Sequence, residues 1–298
     1  MQKTKLFAEQ MRGLGYKITE NVPMSEYTTF KIGGPAEVFW EPCSPAEVVK
    51  GLGIACENNV DIHVIGNGSN LLVSDDGVRG VVCMIGPKMS AVDFRGETVV
   101  AGAGVTLKEL SEAACEKCLD GLVFSSGIPG TLGGAVVMNA GAYEGEMKDV
   151  ITRVQFATKD GLFWVENADM GFGYRRSRVA EHGVVVAAEL KLVLHKTNAE
   201  IKKAMHDLAQ KREDKQPPQP SAGSYFKRPV GGYASALIDE AGLRGLRQGG
   251  AAVSEKHCGF VVNLGGATCA DVLALQEKII NAVNEKSGII LEPEVKRL

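Results

Sequence analysis

The 298 residues carry 45% hydrophobic and 23% charged side chains and a net charge of −3, an ordinary globular balance with room for two domains at about 100–200 residues each. That charge excludes a general attraction to nucleic acid or an anionic membrane, and no apolar run reaches the roughly 20 residues needed to cross a bilayer. Seven cysteines, an odd number, in a chain whose first residues lack a signal-peptide core, point to reduced thiols and a cytoplasmic protein.

Phe7, Met11 and Leu14 recur at helical spacing and predict a helix from Thr4 to Leu14, with Leu6 beside them. Gly33-Gly34-Pro35 splits the β-rich run 28–42 into two short strands about a turn. Ser44-Pro45-Ala46-Glu47 is a capping box with proline pre-set at the first helical position, opening a helix to about Asn58. The next segment, 61–85, alternates strand and turn.

Gly66-x-Gly68 lacks the third glycine of the dinucleotide fingerprint: Leu71 stands there, and LLVSDDG follows in place of a helix, which excludes a Rossmann pyrophosphate site. Asn67-Gly68 reads first as a plain hairpin turn, although the amides of Gly66–Asn70 and the Ser69 hydroxyl are also able to bind phosphate. Thr106 to Glu109 is a second capping box, opening a helix that carries Cys115-x-x-Cys118, two thiols on one helix face with no second pair and no nearby histidine to make a metal or redox motif.

Ser125–Glu146 crowds Gly127, Gly130, Gly133, Gly134, Gly141 and Gly145 around Pro129. So much glycine suits neither helix nor strand interior, but it lets backbone bend sharply or lie against another surface. The apolar insert Ala135-Val136-Val137-Met138 argues that the stretch enters the interior beside a ligand and is not a mobile loop. A hairpin with Asp160-Gly161 at its tip, the polar cluster Tyr174-Arg175-Arg176-Ser177 and a strand from Gly183 follow. A helix opened by Thr197 then runs into KREDKQPPQPSAGS, where three prolines forbid helix and mark the best domain boundary. The remainder reads as a compact α/β unit. Walker A, G-x-S-x-G and metal-ligand patterns are all missing, and no metal is expected. Residue chemistry alone supports a phosphate-containing cofactor in the first domain and a substrate across the boundary, without naming the reaction.

TTFKIGGPAEVF, GNGSNLLVSDDGVRGVV, AGAGVTLKEL, GIPGTLGGAVVMNAGAYEGEM, FGYRRS, PSAGSYFKRP, EKHCGFVVN and LEPEVKRL occur in that order and together resemble the UDP-N-acetylenolpyruvoylglucosamine reductases, flavoenzymes of bacterial peptidoglycan synthesis. The resemblance implies an α+β chain: an FAD-binding fold of the vanillyl-alcohol oxidase type in residues 1–210, as two subdomains split near 80–100. A substrate-binding α/β domain in 211–298 would follow, its last strand returning Glu294 to the active site. It implies non-covalent FAD, NADPH as co-substrate and a small nucleotide-sugar substrate, in a monomer without nucleic-acid or membrane partners. Cofactor contacts are expected from Gly66, Asn67, Gly68, Ser69 and Asn70, and from Gly127, Ile128, Pro129, Gly130, Thr131, Gly133, Gly134, Asn139, Gly141 and Ala142.

The family's catalytic residues fall on Arg175, Ser224 and Glu294. The resemblance implies that NADPH delivers hydride to the flavin and that the enolpyruvyl group then takes it at its methylene carbon. Arg175 would stabilise the substrate carboxylate, Ser224 would protonate the neighbouring carbon, and Glu294 would stabilise the intermediate or tune the proton supply. The residues themselves leave Arg176, Ser221 and Glu292 as competitors, since strand alternation places Glu292 and Glu294 on one face. Arg228 stands where some members have a substrate-binding Asn, and the short path from Ser177 to Thr197 has no room for those members' tyrosine loop. The chain therefore resembles the loop-less subclass, with Lys215, Lys227 and Arg228 as candidates for the substrate diphosphate. Cys258 replaces a usual alanine and is a possible alkylation handle.

Overall fold

In the computed structural model, which describes residues 2–143 and 145–298, the chain divides into two compact units. The first comprises Met1–Glu20, Glu37–Asn67 and Arg79–Lys211; the second comprises Asn21–Ala36, Gly68–Val78 and Arg212–Leu298.

In the first unit, helix α1 (Gln2–Gly13) buries Phe7 and Met11, and Phe7 meets the Trp40 ring edge-on at 6.2 Å. Leu6 and Leu14 stay about half exposed, because the helix stops at Gly13 and Leu14 leaves its buried face. Helix α2 (Pro45–Asn58) forms half of its expected capping box: the Ser44 hydroxyl accepts the Glu47 N–H at 3.2 Å, the Glu47 carboxylate turns elsewhere, and Asn59 ends the helix in the left-handed region. The buried Glu47 carboxylate takes the Trp40 indole N–H at 2.7 Å and the Cys43 amide at 2.8 Å.

These helices accompany a four-stranded sheet of order β1 (Ile18–Pro23), β2 (Pro35–Trp40), β5 (Val78–Met84) and β3 (Ile62–Ile65). Strand β3 runs parallel to β5, so Asn67-Gly68 closes no hairpin. The first of the two strands expected in 28–42 does not form either. There Thr28 turns its hydroxyl onto Ile32 and Lys31 adopts φ +57°, making a turn that buries Phe30 and Ile32.

A five-stranded antiparallel sheet completes this unit: β11 (Gly161–Glu166), β10 (Ile151–Thr158), β12 (Val184–Lys191), β7 (Thr98–Gly102) and β6 (Val92–Arg95). Gly161 turns its hairpin at φ +141°. Helix α3 (Leu107–Glu116) has the full Thr106–Glu109 capping box. It ends before Cys118, which lies beyond the helix at φ +58°, so the two thiols do not share a helix face. Residues 132–137, expected to avoid helix, form the short helix α4 (Leu132–Val137) beside β12. Its Gly133 is closely packed: a Cβ there would lie 3.0 Å from that of Ala103.

In the second unit, β13 (Ser221–Ser224), β16 (Phe260–Asn263), β15 (Ala251–Val253) and β14 (Arg247–Gln248) form an antiparallel sheet. Helix α8 (Cys269–Ser287) buries Val272, Leu275, Ile279 and Val283, and α7 (Ala234–Glu240) buries Ile238. Two segments that precede Arg212 by more than a hundred residues join this unit through long-range bonds. Strand β4 (Leu71–Leu72) pairs in parallel with β17 (Lys296–Arg297), and the Asn263 amide donates to the Phe30 carbonyl at 3.1 Å.

Asp75 accepts the Cys269 and Ala270 N–H groups at 2.7 and 3.0 Å, capping α8 from nearly two hundred residues away. Asp75→Ala is expected to lower the stability of the protein by about 1 kcal/mol, through the lost cap and helix-dipole partner. Urea unfolding measures this, and an unchanged midpoint would argue against the contact.

Candidate active site

In the first unit, two glycine-bearing loops meet. A Cβ on Gly66 would lie 2.2 Å from the Thr131 hydroxyl, and the Asn67 amide donates to the Pro129 carbonyl at 2.8 Å. Thr131 caps α4 by accepting the Gly134 N–H. The stretch is held from behind by Leu132 N–H to Val105 O and Gly133 N–H to Ala103 O, each 2.8 Å. Gly127, Pro129 and Gly134 stay exposed on its outer side. A Cβ on Gly134 would meet nothing nearer than the Thr131 hydroxyl at 3.6 Å. The result is a rigid, side-chain-poor surface where a flat or phosphorylated ligand can lie against backbone. These residues fit FAD: Gly66 permits the loop contact, while Gly127 and Gly134 leave much of the outer side without side chains.

The C-terminal half of the stretch behaves differently. Gly141 and Ala142 form a two-stranded ladder with Gly145 and Glu146, where a Cβ on Gly141 would lie 2.8 Å from that of Glu146. Asn139 is fully buried, its carboxamide bonded to Glu146, Gly173 and Lys148. These residues shape the loop; Asn139 in particular commits its side chain to protein partners.

Loop Gly66–Asn70 passes from one unit into the other after Asn67. Gly68 has φ +61°, and a Cβ there would lie 2.1 Å from the Tyr27 carbonyl, so only glycine fits. Asn70 is tied to the C-terminal segment: its amide donates to Glu294 O at 3.3 Å, and its carbonyl accepts Lys296 N–H at 2.9 Å. In the second unit it therefore supports Glu294.

Ser224 and Glu294 come together on adjacent extended segments of the second unit. Strand β13 shifts register between Ser221 and Ser224, with Gly223 at φ +79°, and Ser224 then pairs with Phe260. Tyr225 and Phe226 are 2% and 4% exposed, whereas Ser224 beside them is exposed, so two buried aromatic rings hold the backbone that presents this hydroxyl. Tyr225 also bonds Gln276 at 2.9 Å.

On the other side, Glu294 N–H donates to Tyr225 O at 2.8 Å and Lys227 N–H to Glu292 O at 2.9 Å. The competing candidates separate. Ser221 caps its own loop by accepting the Gly223 N–H and takes the Thr29 hydroxyl on its carbonyl. Glu292 pairs with Lys227 at 2.6 Å in the open, and this partner pulls its carboxyl below the ordinary range, while Glu294 is half-buried. Lys227 thus has a carboxylate partner, Lys215 is exposed at the end of the helix Asn198–Lys215, and Arg228 lies over the Tyr233 ring at 4.4 Å.

Arg175 belongs to the first unit. Gly173 and Arg176 exchange backbone hydrogen bonds of 3.0 and 3.2 Å, leaving Tyr174 and Arg175 at the tip of a tight turn. Arg175 takes φ +54°, a left-handed conformation that costs a side-chain-bearing residue energy and that functional sites tolerate. It is half-buried with its guanidinium 5.3 Å from the Tyr174 ring, whereas Arg176 is exposed.

His257, which the sequence reading passed over, fixes the chain behind Ser224. Its Nδ1 accepts Gly259 N–H at 3.1 Å, and Gly259 O accepts Tyr225 N–H at 2.8 Å. Burial, helped by the Arg244 and Lys215 charges, pushes this imidazole below its ordinary value. The folded chain therefore refuses a proton that the unfolded chain accepts, so stability falls as pH drops through the ordinary value of 6.5. Urea midpoints at about pH 5 and about pH 8 should differ more for the wild type than for His257→Gln. Equal differences would remove His257 as the source. Cys258 is 4% exposed, and burial pushes its thiol up, so it is not the accessible handle its sequence position suggested.

Two family profiles match the chain. One is described as the FAD binding domain, over residues 36–165, and the other as UDP-N-acetylenolpyruvoylglucosamine reductase, C-terminal domain, over 215–298. The reductase of that name from Agathobacter rectalis is 46% identical across 99% of this chain and 97% of its own. That from Caldanaerobacter subterraneus is 45% identical across 94% and 93%. The chain belongs to the UDP-N-acetylenolpyruvoylglucosamine reductase family. The crystal structure of the Thermus caldophilus reductase superposes with a TM-score of 0.82 at 37% identity, covering 95% of this chain and 99% of that one. Like other members of this reductase family, the chain is an FAD-dependent oxidoreductase of α+β architecture, as the resemblance implied.

Proposed function

We infer that this reductase converts UDP-N-acetylglucosamine enolpyruvate to UDP-N-acetylmuramate with NADPH, in peptidoglycan synthesis, and that Arg175, Ser224 and Glu294 carry the chemistry. The observation that supports this most directly is the exposed Ser224, next to the buried Tyr225 and Phe226 on the segment that pairs with Glu294. Gly66–Asn67 and Gly127–Gly134 would hold FAD, which when bound takes hydride from NADPH and supplies it to the methylene carbon of the substrate.

The chain's own groups handle the charge and the proton. As hydride arrives, negative charge develops on the adjacent carbon and its carboxylate. The Arg175 guanidinium offers that carboxylate two parallel donors. Ser224 Oγ holds the proton that this carbon takes, a transfer that a weakly acidic hydroxyl achieves only toward a strongly basic enolate in good geometry. Glu294 supports the intermediate or the proton supply. For the substrate diphosphate, Lys215 and Arg228 offer cationic groups, and Lys227 does so at the cost of its pair with Glu292.

A cytoplasmic monomer suits this reading. All seven cysteines are unpaired, and one chain supplies the three candidate residues. Among the described residues, no helix is long and apolar enough to cross a membrane. The test is direct: purify the protein, record the flavin spectrum, then follow NADPH oxidation with and without the enolpyruvyl substrate. A colourless protein that binds no FAD, or NADPH oxidation indifferent to the substrate, would overturn the assignment.

A further inference from the structure

The turn that carries Arg175 is anchored at both ends to the glycine-rich stretch. Before it, Asn139 Nδ2 donates to Gly173 O at 3.2 Å; after it, the Ser177 hydroxyl donates to Val137 O at 2.8 Å. Asn139 is 0% exposed, and the rest of its carboxamide is engaged by Glu146 Oε2 at 2.7 Å and Lys148 N–H at 2.9 Å. Between the two anchors sits the left-handed Arg175. A strained tip of this kind persists only where its surroundings over-determine it.

We propose that Asn139 and Ser177 are positioning residues for the substrate half-reaction, locking the Arg175 turn onto the end of the cofactor stretch so that one element sets both. This rests on the reading of Arg175 as the ligand of the substrate carboxylate, and it gives Asn139 a role other than cofactor contact. Reduction of the flavin by NADPH involves no substrate carboxylate. Loosening the turn should therefore split the two half-reactions, whereas a general structural defect would damage both together.

Three holoenzyme variants separate these outcomes. Asn139→Asp sets a carboxylate against Glu146 and removes the donor to Gly173. The double variant Asn139→Asp/Glu146→Gln restores a donor–acceptor pair between 139 and 146, keeps an acceptor for Lys148 N–H, and still lacks the donor to Gly173. Ser177→Ala releases the other anchor without touching the buried cluster. In the double variant and in Ser177→Ala, flavin content and reduction by NADPH should stay within about twofold of wild type. Reoxidation by the enolpyruvyl substrate should fall by about 10- to 100-fold, the scale that misplacement by about 1 Å produces. Hydrogen exchange across residues 173–177 should rise in step.

Reoxidation at the wild-type rate in both variants would overturn the proposal. If the double variant loses its flavin, Ser177→Ala decides alone. Arg175→Ala is the control for the underlying reading. If it too reoxidises normally, the role of Arg175 falls; if it is impaired while both anchor variants are not, only the positioning role falls.

Discussion

Ser224→Ala leaves flavin reduction by NADPH intact and slows reoxidation by the enolpyruvyl substrate by about 10²- to 10⁴-fold, the usual contribution of a positioned proton donor. The split follows from where the hydroxyl stands. Ser224 is exposed, so removing one oxygen leaves no cavity and no buried group without a partner. The backbone around it is set by Tyr225, Phe226 and the pairings with Phe260 and Glu294, none of which uses the serine hydroxyl. Stability should therefore remain within about 0.5 kcal/mol of wild type, as for other exposed substitutions. Stopped-flow absorbance of the flavin measures the half-reactions separately. Unchanged reoxidation would remove Ser224 as the donor, and an equal loss in both half-reactions would point to a misfolded site.

Arg175→Ala should slow the same half-reaction by about 10²- to 10³-fold, the scale of losing one preorganised donor to a developing negative charge. Arg175→Lys should recover little of this, because an ammonium keeps the charge but not the two-pronged fork. Arg176→Ala, at the exposed neighbour, should stay near wild type. The left-handed backbone adds an independent signature. Glycine adopts φ +54° without the Cβ penalty, so Arg175→Gly should melt at the wild-type temperature or above it while losing the substrate half-reaction. If Arg175→Gly is instead destabilised and Arg176→Ala is the inactive variant, the two arginines exchange roles.

Much of the site was legible where local chemistry and ordered motifs agreed. Ser44 and Thr106 cap their helices, and the Asp160-Gly161 tip turns its hairpin, because each depends on residues only a few positions apart. The ordered motifs pointed to Arg175, Ser224 and Glu294, but strand alternation could not separate Glu292 from Glu294. Only the fold shows that Glu292 pairs in the open with Lys227, 65 residues away, while Glu294 is half-buried. Ser221 likewise accepts the Gly223 N–H on its hydroxyl and the Thr29 hydroxyl on its carbonyl, the latter from 192 residues away.

The misreadings share one cause. Asn67-Gly68 carries a strong hairpin signal, yet the strand before it pairs with β5 and the strand after it with the C-terminus. Glycine density argued against helix in 132–137, yet these residues form one, with Ala103 packed closely against Gly133. The place of Asn139 in its motif likewise gives no sign of its bond to the Gly173 carbonyl, 34 residues on.

The cofactor stretch Ser125–Glu146 divides along the same line. Its glycines could be read from the chain as a surface for close approach, since the absence of side chains is itself the signal. Which glycines face outward, which pack against neighbours, and that its far end grips the turn of Arg175 were set by partners distant in sequence. Packing and hydrogen bonding across such separations act on shape and direction, and neither is written in the spacing of residues along one strand of chain.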